Sequence, residues 1–502
     1  EKVDVILTGG DVAAMNEGFD LFMPGAVSIS EGVIRAVGPA DEVAATYEAD
    51  QVVDCTGCAV IPGLVNAHTH VPMTLLRGLA DDLRLDVWLM GYMMPVEREF
   101  VGTRFCWLGT QLACAEMIRS GTTCFADMYY YEEAVADATA QAGMRGVCAE
   151  TILRFPSPDA LSYDESLAHT RDFIRRWQGH PLIMPAVGPH APYTATISLL
   201  QDAAAMAREF DVLLHTHVAE TAQEVQDHQE AYGSKVVPWL EQQGVLDAKV
   251  IAAHCVHIDE QEMEILLDHG VGVAHNPTSN LKLASGIAPV TRMVNMGLNV
   301  GVGTDGPASN NDLDMWEEMR LAALLAKGAT SDPTAVPARQ ALAMATIGSA
   351  RALHIGDMIG SLEPGKRADI AVVDLGQVYT RPVFERDPDA LYARLVYAAK
   401  GSDVRDVLCQ GRWLMRDRQL CTLDAEALIA EADKMARRID QFLIQREESV
   451  LSKLLVIGEV AQREIFEVQV KVHLDQPPAD DFLERPDFVV VKPSVRDQYD
   501  TY

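Results

Sequence analysis

The sequence predicts an α/β protein in which a (β/α)8 TIM-like barrel is joined to a small β-sandwich formed from both ends of the chain. Three observations carry this. Between residue 59 and about residue 305, short apolar runs alternate with stretches of helical periodicity, the pattern of a parallel sheet buried on both faces. Eight such runs can be counted. The flanking stretches read as short β pieces broken by glycine turns, and the β material after the barrel is inferred to join that before it in one small domain.

The N-terminal β pieces are Val3 to Leu7 before Gly9-Gly10, Ala26 to Ser30 before Glu31-Gly32, and Val33 to Val37. The barrel strands are expected over 59–67, 121–127, 145–151, 182–188, 211–217, 250–255, 271–275 and 299–304. Helical periodicity fills the gaps, as in Phe105 to Ile118 and Ile197 to Phe210. After the barrel, Ile359 to Asp374 is a turn-rich entry to another strand, Val404 to Trp413 reads as a hairpin, and a helix is expected from Asp424 to about Arg446. The resulting domains are a discontinuous β-sandwich from 1–58 and 366–455, a barrel over 59–365, and an extension over 456–502. Within the extension, Glu464 to Leu474 and Phe488 to Val491 have a strand-like pattern, and an oligomer contact or a disordered tail are both open readings.

Composition is that of a soluble globular chain, with 48% hydrophobic and 23% charged residues among 502. The 73 acidic against 41 basic residues give a net charge of -32, which repels polyanions and argues against a nucleic-acid partner. No apolar run approaches the ~20 residues of a membrane helix, and the N-terminus lacks a signal-peptide pattern, so a cytoplasmic protein without a membrane partner is expected. Nine scattered cysteines fit reduced thiols. The single Cys55-Thr56-Gly57-Cys58 is read as strand residues around a turn rather than a zinc site.

The polar residues at the ends of the predicted strands carry the chemistry. Pro62-Gly63-Leu64-Val65-Asn66-Ala67-His68-Thr69-His70 ends the first strand, and residues two apart on a strand share a face, so His68 and His70 aim at one spot. His217 ends the fifth strand, His254 the sixth, and Asp305 follows the eighth. All lie at the face where barrel active sites are built. Three imidazoles and a carboxylate (His68, His70, His217 and Asp305) suit one divalent metal, zinc first and iron second. A metal of this kind lowers the pKa of a bound water from about 15.7 toward ~7.

Glu220, three residues past His217, is placed to overhang a substrate without binding the metal and is the candidate general acid and base. Asp305 is a candidate proton acceptor, and His254 a candidate for polarising the nucleophile or stabilising the intermediate. A fifth ligand or a structural histidine is the alternative for His254. His215 shares the face of His217 one residue pair deeper, where it either supports the ligands or packs in the core.

Together, Pro62 to His70, His217-Val218-Ala219-Glu220, Ala253-His254-Cys255-Val256-His257, His275-Asn276-Pro277-Thr278-Ser279-Asn280 and Gly303-Thr304-Asp305-Gly306 occur in order, and on them the chain resembles the amidohydrolase superfamily from residue 3 to about 440. Within it the resemblance is greatest to methylthioadenosine/S-adenosylhomocysteine deaminases, with chlorohydrolases nearby. Leu75 to Leu83 leading to Trp88 and Pro95-Val96-Glu97, and Ser309 to Met315, point to the deaminases. The resemblance implies that Glu97 accepts hydrogen bonds from both ribose hydroxyls, that His190 contacts the nucleoside, and that Trp88 lines the base or sugar pocket. It offers Arg154 as a partner for a homocysteine carboxylate, although the loop around it does not align with the family's. No lysine occurs between Lys2 and Lys235, so the middle strands lack the carboxylated lysine that bridges two metals in many relatives. One metal per subunit follows, unless Glu or Cys bridges instead.

The implied reaction is hydrolytic deamination of an adenine nucleoside by a homo-oligomer. The alternatives are hydrolysis of another aminated or chlorinated heterocycle, such as a triazine or guanine, and a catalytically silent assembly module.

Overall fold

The computed structural model describes residues 1–82, 88–384, 386–387 and 389–460. The chain divides into two units, Glu1–Arg437 and Arg438–Tyr502. Among the described residues, the first holds seventeen strands in two sheets.

Eight parallel strands make the barrel: β6 (Leu64–Thr69), β7 (Thr122–Tyr129), β8 (Arg145–Ile152), β9 (Ile183–Pro189), β10 (Leu213–Val218), β11 (Lys249–His254), β12 (Gly272–His275) and β13 (Val300–Val302), neighbouring one another in that order. Every residue of β7 and of β8 is buried, as strands covered on both faces require. The ring closes where the chain leaves β13: Thr304 N–H donates to Asn66 Oδ1 at 3.1 Å, and Asp305 N–H donates to the His68 carbonyl at 3.0 Å.

The second sheet is mixed and draws on both ends of the chain. It contains β1 (Lys2–Ala13), β2 (Leu21–Ser30), β3 (Val33–Pro39), β4 (Glu48–Asp54), β5 (Cys58–Pro62), β14 (Ile370–Asp374), β15 (Val404–Cys409), β16 (Arg412–Arg416) and β17 (Gln419–Leu420). The N- and C-terminal parts meet where β5 pairs antiparallel with β14. Alternation along β1 sends Val5 and Leu7 into one apolar cluster and Ile6 into another.

One expected strand is corrected. The run 59–67 is two strands, β5 in the mixed sheet and β6 in the barrel, divided at Gly63. Gly63 N–H donates to the Asp369 carbonyl at 2.9 Å, beside β14, while Leu64 N–H donates to Gly121 at 3.0 Å, beside β7. The hydrogen-bonding partner thus changes sheet within a single residue. A Cβ at position 63 would lie 2.2 Å from Thr123 Oγ1, so no side chain fits there. The strand Glu48–Asp54 had not been expected, because its apolar residues are sparse.

Cys55 and Cys58 flank a turn, with Cys58 N–H on the Cys55 carbonyl at 2.9 Å, and burial pushes the Cys55 thiol up to about 12. Such thiols pack rather than ligate. The C-terminal helix runs over Ala425–Val460, beyond the expected end near Arg446. The strand-like patterns at 464–474 and 488–491 lie outside the described residues. No described helix is long and apolar enough to cross a membrane.

The two sheets are also joined by a buried ion pair. Arg145, first residue of β8, donates from Nε to Asp369 Oδ2 at 2.9 Å and from Nη1 to the Pro181 carbonyl at 2.9 Å. Both side chains are almost fully buried, and removing one partner from such a pair costs about 3–5 kcal/mol. Asp369→Ala is therefore expected to lower unfolding stability by about that amount in urea titrations. A change below about 1 kcal/mol, the scale of an exposed pair, would show that the ion pair is not what joins the sheets.

Candidate active site

The parallel strands deliver their polar residues to one end of the barrel. His68 lies on β6 with His70 just past it, His217 on β10, His254 at the end of β11 and Asp305 beyond β13. Asp305 Oδ1 is 3.3 Å from His68 Nε2 and 3.2 Å from His70 Nε2. The rings of His68 and His217 are centred 4.9 Å apart.

Each imidazole is held from behind through Nδ1. His70 Nδ1 donates to the Met128 carbonyl at 2.5 Å and His217 Nδ1 to the His190 carbonyl at 2.7 Å, while His68 Nδ1 is 2.8 Å from His215 Nε2. A ring held through Nδ1 turns Nε2 toward the site, the nitrogen that a metal takes in its unprotonated form. Asp305 is held as firmly: Ser279 and Ser309 hydroxyls donate to Oδ2 at 2.6 and 2.9 Å, and Gly306 N–H donates to Oδ1 at 2.8 Å.

These residues fit a metal. His68 Nε2 is fully buried without a hydrogen-bond partner, a costly state for a polar atom unless a ligand uses its lone pair. His68, His70 and Asp305 can bring one ligand atom each within 4.8 Å of one another, and so can His68, His217 and His254. Burial holds His68 down to about 4 and His217 well below the usual histidine range, so both stay neutral. Burial would lower His70 too, but the Asp305 carboxylate beside it holds it up to about 9. Asp305 itself, despite burial, lies well below the usual carboxylate range because of the His68 and His70 rings.

The backbone pays for this convergence. Asp305 (φ +59°), His254 (+73°) and Ala219 (+50°) all occupy the left-handed region, which costs a non-glycine residue about 1–3 kcal/mol. His254 is locked by Asn280, whose Oδ1 is 2.8 Å from its Nδ1, and its Nε2 faces Glu220 Oε2 at 3.9 Å.

Beside this cluster is a cavity lined in part by Trp88, Glu97, His190, Glu220, Leu153 and Phe155. Glu97, on the helix Met94–Phe100, is 8% exposed, and burial raises it to about 6. Tyr129 Oη donates to its Oε1 at 2.7 Å. His190 reaches the cavity with Nδ1 3.0 Å from Thr194 Oγ1. Arg154 is exposed and is not among the residues that line it, although its neighbours Leu153 and Phe155 are.

Residues given no role from sequence are the supports. Asn280 and Ser279 lie in the motif that begins at His275, and Ser309 in the stretch before Met315, so their positions were marked but not their partners. Tyr129 lies just past the expected end of its strand.

Residues 59–414 match the Amidohydrolase family. The chain belongs to the amidohydrolase family. This amidohydrolase is similar to a 5-methylthioadenosine/S-adenosylhomocysteine deaminase of Syntrophobacter fumaroxidans, 47% identical over 438 residues that cover 87% of this chain and 99% of that one. An adenosine deaminase from Xanthomonas campestris, solved with bound zinc, superposes with a TM-score of 0.85 at 40% identity, covering 88% of this chain and 99% of that one. The atrazine chlorohydrolase of Arthrobacter aurescens, complexed with zinc, superposes with a TM-score of 0.79 at 25% identity, covering 86% and 100%.

His215 touches a candidate ligand and no part of the cavity, which makes it a test of the metal site. His215→Ala is expected to weaken zinc binding about 10- to 100-fold in competition with a chromophoric chelator. Unchanged affinity would mean that the His68 ring needs no support from behind.

Proposed function

We propose that this amidohydrolase hydrolyses the 6-amino group of an adenine nucleoside, such as 5'-methylthioadenosine, S-adenosylhomocysteine or adenosine, giving the inosine derivative and ammonia. The observation that carries this reading is Glu97: a buried carboxylate, oriented by Tyr129, on the wall of the same cavity that Glu220 and Asp305 line. A vicinal diol presents two donors, and an acceptor-only carboxylate matches them. The deaminases similar to this chain at 40–47% identity support the same class of substrate.

His68, His70, His217 and Asp305 would hold one divalent metal, zinc by preference for this donor set. When bound, the metal supplies an activated water at neutral pH. Asp305 accepts a proton from the attacking water. As the water oxygen bonds to C6, electron density moves to the adjacent ring nitrogen, and the Glu220 carboxyl delivers a proton there. Glu220 then takes the proton of the C6 hydroxyl, as that oxygen becomes the carbonyl, and passes it to the departing amino group, which leaves as ammonia; the proton held by Asp305 returns Glu220 to its acid form. His254, its Nδ1 held 2.8 Å from Asn280 Oδ1, turns Nε2 toward the oxygen that develops charge on C6 and stabilises it there. His190 and Trp88 fix the base and sugar. Arg154 is given no role, because it is not among the residues that line the cavity. The reading also takes a cytoplasmic homo-oligomer, which rests on the sequence alone.

Ammonia release from methylthioadenosine, S-adenosylhomocysteine, adenosine, guanine and a chlorotriazine tests the reading. Adenine nucleosides should turn over and the other rings should not; the reverse would overturn it. Because Glu97 binds the diol only as the carboxylate and burial raises it to about 6, nucleoside KM should climb as pH falls below 6. In Glu97→Gln the KM should be high and flat across that range. A wild-type KM independent of pH there would remove Glu97 from the ribose site.

A further inference from the structure

The segment that carries Glu220 leaves β10 through the strained residue Ala219. Its N–H donates to Glu224 Oε1 at 3.2 Å, and the N–H of Glu220 donates to Glu224 Oε2 at 2.8 Å. The Ala219 carbonyl accepts from Val256 and His257 N–H at 3.1 and 3.0 Å, which ties the same turn to the loop after His254. One side-chain carboxyl group thus grips two successive amides.

The ordinary explanation of Glu224 would be a helix cap. Thr221-Ala222-Gln223-Glu224 has the spacing of a capping box at the start of the helix Ala222–Tyr232, and Thr221 Oγ1 does accept from Glu224 N–H at 3.1 Å. In a capping box, however, the glutamate would return the bond to the N–H of Thr221. Here it reaches one and two residues further back, to Glu220 and Ala219. Capping needs only the threonine half of this arrangement. The glutamate half holds the turn.

We propose that Glu224 is a positioning residue for the reaction, clamping the backbone of Ala219 and Glu220 so that the Glu220 carboxylate stays at the cavity beside His254. The proposal rests on the reading of Glu220 as the proton-transfer group. Its two oxygens compensate the strain at Ala219, and without them the turn is free to relax to a conformation that moves Glu220. A displacement of about 1 Å at a reacting group can cost about 10²-fold in rate.

Two measurements on the intact enzyme test this. In Glu224→Ala, hydrogen exchange followed by mass spectrometry over residues 214–224 should accelerate at the Ala219 and Glu220 amides. With methylthioadenosine, kcat should fall about 10²-fold while KM stays within about threefold and zinc content is unchanged. Glu224→Gln keeps one acceptor and should recover part of the loss. Thr221→Ala, which removes the capping hydroxyl alone, should keep most of the wild-type kcat. Equal losses in Thr221→Ala and Glu224→Ala would reduce Glu224 to a helix cap and overturn the proposal, as would unchanged exchange in Glu224→Ala. If the wild-type enzyme deaminates no adenine nucleoside, the functional reading fails, but the exchange measurement still decides whether Glu224 clamps the turn.

Discussion

A single hydrogen bond, from Asp305 N–H to the His68 carbonyl, does two jobs on which the rest of the molecule depends. It joins the end of the eighth barrel strand to the first, closing the ring. It also fixes the Asp305 carboxylate 3.2–3.3 Å from the Nε2 atoms of His68 and His70, although these residues are more than two hundred positions apart in the chain. The Asp305 carbonyl is held in turn by the Thr69 and Thr304 hydroxyls, at 3.0 and 2.9 Å. Barrel closure and site assembly are therefore one event, and the left-handed backbone at Asp305 is stabilised by the closure that requires it.

Burial then sets the chemistry. The imidazoles sit where water cannot solvate a charge, so His68, His190 and His217 are driven toward their neutral forms. Hydrogen bonds through Nδ1 choose which nitrogen faces the site, and those bonds come from other strands: Met128 on the adjacent β7 holds His70, and His215 on β10, four strands along the barrel, holds His68. The same burial acts oppositely on Glu97, whose carboxyl it raises toward neutrality. A rigid parallel barrel suits this arrangement because adjacent strands hold their ends in fixed register, and the catalytic groups inherit that register.

Much of this was legible in the sequence, for a physical reason. In a parallel barrel the strand termini are the site, so His68, His70, His217, His254 and Asp305 are marked simply by following apolar runs in order. What was not legible depended on partners rather than position. The run from Ala59 to Val65 has no polar side chain, and nothing in apolarity says that its two halves pair in different sheets; only the glycine at 63 hints at the break. Arg154 is marked by charge and loop position, which a sequence shows, whereas the lining of the cavity, which takes in Leu153 and Phe155 and not Arg154, is not visible there. Glu224 reads as half of a capping box, and its actual grip on Ala219 and Glu220 follows from a turn geometry that the spacing alone does not encode.

The central claim is that the first, fifth and eighth strands together hold one metal. Anomalous diffraction from crystals of the zinc-loaded enzyme measures this most directly. The account predicts one peak per chain, within coordination distance of His68, His70, His217 and Asp305. Two peaks, or one bound by His68, His217 and His254 with Asp305 outside its shell, would contradict it.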